Sequence, residues 1–349
     1  MPMDYLTDFP GLDRFPELLL PWFSVHRRDL PWRADRDPYH VWLSEIMLQQ
    51  TRIEAVLGYY KRFLDALPDL SSLANCGEDR LLKLWEGLGY YSRARNLQKA
   101  AKIIMDQGGV FPNRYEELRA LPGIGDYTAG AIASISFGLP CPAVDGNVLR
   151  VVSRVCNWEA PVTRPESKRA LCEALKSVYP VDQAGEFTQA LMEIGEVLCI
   201  PNGIPNCEAC PLRELCLSRK GEKWKLLPVK EAKKPRRIEE KTVFLLHCGD
   251  RIALRKRDDR GLLAGLWEFP NEPGILSMTE ALAFAEKWGC RPLGPEKTVA
   301  AKHIFTHVEW RMTGHYLACR KEAGGFVWAD KEELEHVYSL PTAFKKLLD

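Results

Sequence analysis

Residues 116–138 read EELRALPGIGDYTAGAIASISFG, and the reading of this stretch decides the fold. An amphipathic helix runs into Pro122-Gly123-Ile124-Gly125, and a helix of small residues follows. The glycines permit positive φ and a tight reversal. The helix after the turn then offers free N–H groups and the positive end of its dipole, which suits a phosphate. This is a helix-hairpin-helix pattern, a contact that holds nucleic acid without reading its sequence. The same residues also suit an ordinary αα-hairpin in which Gly123 is only a cap.

Outward from the turn, helical spacing dominates. From about residue 12 to 215 apolar positions recur at three and four, as in Leu81, Leu84, Trp85 and Leu88. Four cysteines, Cys199, Cys207, Cys210 and Cys216, fall within eighteen residues, with gaps of seven, two and five. Thiolates suit iron-sulfur clusters and zinc alike. Zinc sites of four thiolates usually pair two Cys-x-x-Cys units, and here only Cys207 and Cys210 form one. One cubic iron-sulfur cluster is therefore the leading expectation, with a zinc knuckle or four unrelated structural thiols as the alternatives. Most of the other cysteines stand singly among apolar neighbours, which favours a reduced compartment over disulfides.

Two carboxylates stand out. Glu45 sits among the apolar residues of VWLSEIMLQQT (41–51), where desolvation would raise its pKa and make it a proton donor near neutral pH. An exposed helical stripe would suit it equally well. Asp145, in CPAVDGNVLRVVSRV (141–155), precedes a helix and reads locally as an N-cap. As a pair, two such groups divide glycoside-type chemistry: one protonates the leaving group and the other stabilises an oxocarbenium-like sugar.

Residues 218–237, SRKGEKWKLLPVKEAKKPRR, hold nine Lys or Arg against two Glu and contain two prolines, the pattern of a basic linker. Beyond it, KTVFLLHC (241–248), RIALRKR (251–257) and WRMTGHYLACR (310–320) read as strands. SMTEALAFAEKWG (277–289) and DKEELEHVY (330–338) read as helices. The expected architecture is multidomain: a mostly α catalytic region over 1–217, the linker, and an α+β domain over 238–349.

With 349 residues and 46% hydrophobic content, the chain is long enough for two cores. A net charge of +1 makes any DNA-binding surface local rather than global. The N-terminal stretch, with early acids and Pro10, Pro16 and Pro21, fits neither a secretory signal nor a spanning helix. A cytoplasmic protein without membrane association is expected.

Together these segments resemble the helix-hairpin-helix, iron-sulfur DNA glycosylases, and most closely the adenine DNA glycosylases of the MutY type. The resemblance rests on PWR at 31–33, SEIMLQQT at 44–51, GLGYYSRARNL at 87–97, LPGIGDYTAG at 121–130, VDGNV at 144–148, QALMEIG at 189–195 and the four cysteines. It implies a monomeric, nucleoid-associated bacterial enzyme whose partner is duplex DNA carrying adenine opposite 8-oxoguanine or guanine. Adenine is flipped out and its glycosidic bond hydrolysed, because the bond is shielded inside the duplex.

Carried over by position, Glu45 protonates the departing adenine and Asp145 stabilises the sugar cation or captures it transiently, with Tyr127 and Asn147 organising the pair. Trp32, Arg33, Leu48 and Gln189 form the base pocket. Gln50 and Tyr90 act as wedges in the stack, and Gly123 and Gly125 approach the backbone. Cys199, Cys207, Cys210 and Cys216 bind a [4Fe-4S] cluster, although the first gap is one residue longer than usual. Bifunctional relatives place a nucleophilic lysine where this chain has Tyr127, so a monofunctional glycosylase is implied.

The C-terminal domain resembles a Nudix-like lesion reader. The acidic magnesium-binding hydrolase signature is missing from GLLAGLWEFPNEP (261–273). Phe305, Thr306 and His307 stand where the family has a Phe-Ser-His loop against 8-oxoguanine. Thr306 departs from the serine by one methyl group.

Overall fold

The computed structural model describes residues 7–232 and 235–348. It divides into two units, Met1–Ala74 with Asn96–Ala232, and Asn75–Arg95 with Lys233–Asp349. Its helices up to the linker are α1 (Phe15–His26), α2 (Pro38–Leu48), α3 (Ile53–Ala66), α4 (Leu70–Asn75), α5 (Glu78–Leu84), α6 (Ser92–Asp106), α7 (Tyr115–Ala120), α8 (Asp126–Ile135), α9 (Gly146–Val155), α10 (Pro165–Val178) and α11 (Ala184–Val197).

In the first unit, Phe15, Leu19 and Phe23 of α1 meet Val148 and Val152 of α9, Leu171 and Leu175 of α10, and Phe187, Leu191 and Ile194 of α11 in one core. Asp37 starts α2 by accepting from the Tyr39 N–H at 2.8 Å, and Pro38 presets the first helical φ. From Val41 to Met47 every residue of α2 is buried, so this helix presents no exposed stripe there.

The α7–α8 turn takes the helix-hairpin-helix form. Gly123 has φ 78°, and a Cβ there would stand 2.6 Å from the Asn96 Cβ, so both conformation and space require glycine. Gly125 differs from the expectation of a left-handed residue: it is extended, with φ −93°, and caps α8.

The second unit is built on strands β1 (Arg237–Cys248), β2 (Arg251–Lys256), β3 (Trp267–Glu268), β4 (Asn271–Pro273), β5 (Pro292–Ile304), β6 (Val308–Cys319) and β7 (Val327–Ala329). Its helices after the linker are α12 (Met278–Lys287), α13 (Lys331–His336) and α14 (Thr342–Lys345). The sheet runs β3-β2-β1-β6-β5, with β1 parallel to β6 and with β4 and β7 paired to β1 and β2. Val243 and Leu245 of β1 pack with Trp310, Met312 and Phe344 on one face, while Phe244 and Leu246 pack with Ala281, Ala285 and Trp328 on the other. A strand buried on both faces reads as a continuous apolar run, which explains KTVFLLHC.

Residues 75–95 group with this unit through specific bonds. Lys83 donates to the Leu334 and Tyr338 carbonyls at 3.0 and 3.2 Å, Glu86 accepts from the Leu340 N–H at 2.8 Å, and Lys256 pairs with Asp79 at 2.9 Å. In the basic segment, Lys220–Lys225 form 3-10 turns broken by a kink at Gly221 and Glu222, and the Val229 carbonyl accepts from the Val162 N–H at 3.0 Å. Lys233 and Lys234 of the expected linker lie outside the described residues. No helix among the described residues is long and apolar enough to cross a membrane.

Candidate active site

The first unit holds a cleft of about 930 Å³. Trp32, Arg33, Glu45, Leu48, Gln50, Tyr127, Asp145, Asn147 and Gln189 all line it. Residues named from five separate stretches of sequence thus converge. Gly123 and Gly125 lie at the hairpin turn instead, and Tyr90 and Phe305–His307 belong to the second unit.

Glu45 is only 6% exposed because α2 is sequestered on all sides. Burial raises its pKa to about 7, against the hydrogen bond from Tyr127, with Asp145 adding to the rise and Arg33 opposing it. The Tyr127 hydroxyl donates to Glu45 Oε2 and also approaches the Met192 sulfur at 3.8 Å. Tyr127 itself is held well above the ordinary phenol range by burial and the neighbouring carboxylates, so it stays a donor.

The Asp145 carboxylate makes two contacts at once. Its Oδ1 accepts from the Val148 N–H at 2.7 Å, which caps α9, and its Oδ2 accepts from Asn147 Nδ2 at 2.9 Å while facing the cleft. Burial raises its pKa, whereas the backbone N–H groups of Val148 and Asn147 and the Arg150 charge oppose the rise. The local N-cap reading and the functional reading describe the same carboxylate.

Several cleft residues were not singled out from the sequence. Glu193 is 1% exposed and accepts from Arg28 through the backbone N–H, Nε and Nη2, each at 2.9 Å, and from Arg33 Nη2 at 2.8 Å. Burial alone would raise its pKa, but these bonds hold it down at about 2. Arg150 donates to Asn147 Oδ1 and to the Gly195 carbonyl at 2.8 Å, and to the Cys199 carbonyl at 2.7 Å. Glu193 stands four residues after Gln189 and Arg150 three after Asn147, so a search of shared helical faces would have found both. Gln189 donates to the Gly185 carbonyl at 3.3 Å.

Two wedge candidates share an uncommon backbone. Gln50 has φ 58° and Tyr90 φ 47°, a left-handed conformation that costs a side-chain-bearing residue energy and clusters at functional positions. Phe305, Thr306 and His307 form the turn between β5 and β6, where the Phe305 N–H donates to the Val308 carbonyl at 2.8 Å. They are not alternate residues of a strand. Phe305 packs on Trp310 with centroids 4.9 Å apart.

The four cysteines line a separate cavity of the first unit together with Arg154, Arg213, Arg219 and Trp224. Arg154 Nη1 donates to Cys199 Sγ at 3.4 Å and to the Ile200 carbonyl at 2.9 Å, and its guanidinium lies over Trp224 at 5.8 Å. Among the described residues no group of three or more His, Cys, Asp or Glu is arranged to grip one metal ion.

Residues 43–177 match the model of the HhH-GPD superfamily of base excision DNA repair proteins, and residues 242–349 match a NUDIX domain. The adenine DNA glycosylase of Buchnera aphidicola subsp. Acyrthosiphon pisum (strain APS) is 31% identical over 343 residues, covering 96% of this chain and 97% of that protein. The adenine DNA glycosylase of Homo sapiens is 33% identical over 411 residues, covering 97% and 74%. Among solved structures, a thermostable thymine-DNA glycosylase aligns at TM-score 0.54 and 27% identity, covering 60% of this chain and 97% of that one. A non-covalent endonuclease III–DNA complex shares the fold at TM-score 0.52 and 24% identity, covering 63% and 99%.

Proposed function

The chain belongs to the adenine DNA glycosylase family, and from that premise we propose that it excises adenine paired with 8-oxoguanine or guanine in duplex DNA. It is a DNA-binding hydrolase of base excision repair. One observation carries the residue-level reading: a buried carboxyl group with a pKa of about 7, Glu45, shares a cleft with Asp145 and Gln189.

Adenine must leave the stack to reach these groups. Gln189, which both donates and accepts, matches adenine's edge, with Trp32, Arg33 and Leu48 around it. Glu45, about half protonated at pH 7, gives its proton to a ring nitrogen. The electrons of the bond to the sugar then leave with the neutral base. Asp145, ionised, stabilises the oxocarbenium-like sugar until water adds and loses a proton. Tyr127 orients Glu45, and Asn147 orients Asp145. Position 127 carries Tyr rather than an amine, so in this reading water is the final nucleophile.

The donor set fits an iron-sulfur cluster. All four thiols line one cavity, and four thiolates without histidine are the usual ligand set of a cubic cluster. Cys199, Cys207, Cys210 and Cys216 would hold a [4Fe-4S] cluster, which would supply a rigid cross-link for residues 199–216. Arg154 of α9 and Trp224 of the basic segment line the same cavity, the guanidinium over the ring.

Base identity tests the reading. Duplexes carrying adenine opposite 8-oxoguanine, thymine opposite guanine, or an oxidised pyrimidine are incubated with the protein and the freed base is identified by chromatography. Adenine alone is expected; release of a pyrimidine without adenine would overturn the assignment.

A further inference from the structure

Glu196 breaks a local rule. It lies in the last turn of α11, where the negative end of the helix dipole disfavours a carboxylate. Residues that defy local preference are expected at functional sites. Glu196 lines the cleft, and its Oε1 accepts from Asn147 Nδ2 at 2.8 Å. The same nitrogen donates to Asp145 Oδ2 at 2.9 Å.

The Asn147 amide is fully engaged. Its Oδ1 accepts from Arg150 Nη2 at 2.8 Å, and because a guanidinium only donates, that contact identifies the oxygen and leaves the NH2 bridging two carboxylates. Gly195 permits the approach: a Cβ there would stand 2.7 Å from the Asn147 Cβ. Any side chain at that position would push the end of α11 away from the start of α9.

We propose that Glu196 is a positioning residue for adenine excision, anchoring the Asn147 amide that orients Asp145 and adding a second negative charge beside the developing sugar cation. The inference rests on the role given above to Asp145. Ionisable groups face Asp145 from every side: Glu45 on α2, Tyr127 on α8, Arg150 on α9 and Glu196 on α11. Arg28 answers the Glu196 charge from the end of α1. Burial is the main cause of the raised Asp145 pKa, and Glu196 adds to it, so neutralising Glu196 lowers it. The Glu45 pKa is set by burial, Tyr127, Asp145 and Arg33, and stays in place.

The test is the pH profile of single-turnover adenine release. Glu196→Gln keeps an acceptor for Asn147 and removes the charge. Its low-pH limb is expected to move to lower pH while its high-pH limb stays, and its plateau to fall roughly two- to fivefold, the scale of one exposed charge. Glu196→Ala, which also releases the amide, is expected to fall further. Profiles that superimpose on the wild type would overturn the proposal.

A second measurement needs no activity: the Asp145 carboxyl titration by carbon-13 NMR, assigned with Asp145→Asn. A lower midpoint in Glu196→Gln is expected, and an unchanged one sinks the inference. If the wild type releases no adenine while this midpoint moves, the functional reading fails and the coupling stands.

Discussion

The hydroxyls of Tyr90 and Thr306, 216 residues apart in sequence, share a hydrogen bond of 2.7 Å. Both belong to the second unit, and Tyr90 is 47% exposed with its backbone in the left-handed region. The bond links a wedge candidate to the β5–β6 turn. The extra methyl of Thr306 leaves the hydroxyl contact in place. Thr306→Val keeps the shape and removes the hydroxyl, at a cost near 1 kcal/mol. Its preference for 8-oxoguanine over guanine is expected to fall about fivefold, and that of Thr306→Ser to hold. Dissociation constants on duplexes with a non-cleavable adenine analogue measure this, and an unchanged ratio in Thr306→Val would contradict it.

Glu45 predicts two opposite responses to pH-neutral substitution. Its folded pKa of about 7 lies above the ordinary 4.5, so the folded state holds the extra proton between those values. Stability from this group is therefore full below pH 4.5 and lost as pH rises through 7, by about 3 kcal/mol in all. Glu45→Gln is expected to abolish adenine release and to raise urea resistance at pH 8 but not at pH 4.5. Equal stability of the two proteins at pH 8 would show that Glu45 is not strained by burial.

Tyr127→Phe removes a bond that favours the ionised Glu45. The high-pH limb of adenine release is expected to move upward and the plateau to fall, since the carboxyl loses its orienting partner. A limb that moves downward would contradict this electrostatic assignment. Rapid strand cleavage by β-elimination is expected of neither protein, because position 127 carries no amine.

Glu193 titrates in the other sense. Its pKa is held near 2 by Arg28 and Arg33, so its stabilisation is present above pH 4.5 and lost as pH falls toward 2. Glu193→Gln leaves two arginines facing a neutral amide and is expected to cost about 3 kcal/mol at pH 7. Urea unfolding checks the value, and a loss below about 0.5 kcal/mol, the scale of an ordinary surface change, would mean the clamp is not structural.

The cysteine cavity makes a compositional prediction. The purified protein is expected to contain iron and acid-labile sulfide at about four each per chain and to be brown. Cys210→Ser is expected to lower both and to make residues 199–216 sensitive to protease. A colourless protein with one zinc would contradict the cluster.

Much of this was legible in the residues. KTVFLLHC announced a strand, which the structure buries on both faces, and PGIG announced a tight turn whose Gly123 uses the left-handed region. β5 was missed because its long run, exposed at most positions, carries little apolar alternation. Glu45 was ambiguous because helical spacing tells which residues share a face, not whether the opposite face is also covered; α2 is covered on both. The Arg28–Glu193 clamp joins residues 165 apart, and Glu196 reaches Asn147 across 49. Such pairings arise only when the helices pack. The grouping of residues 75–95 with the second unit likewise depends on bonds to distant carbonyls that no local pattern reports.

The central claim is that Glu45 and Asp145 divide the work of releasing adenine. Single-turnover release from a duplex with adenine opposite 8-oxoguanine, beside adenine opposite guanine, tests it directly in the wild type and Asp145→Asn. The wild type is expected to release adenine from both, faster opposite 8-oxoguanine, and Asp145→Asn to bind both duplexes while releasing adenine at least about a hundredfold more slowly, the scale of losing one charge-stabilising group. Wild-type protein that releases no adenine, or Asp145→Asn that releases it at the wild-type rate, would contradict the account.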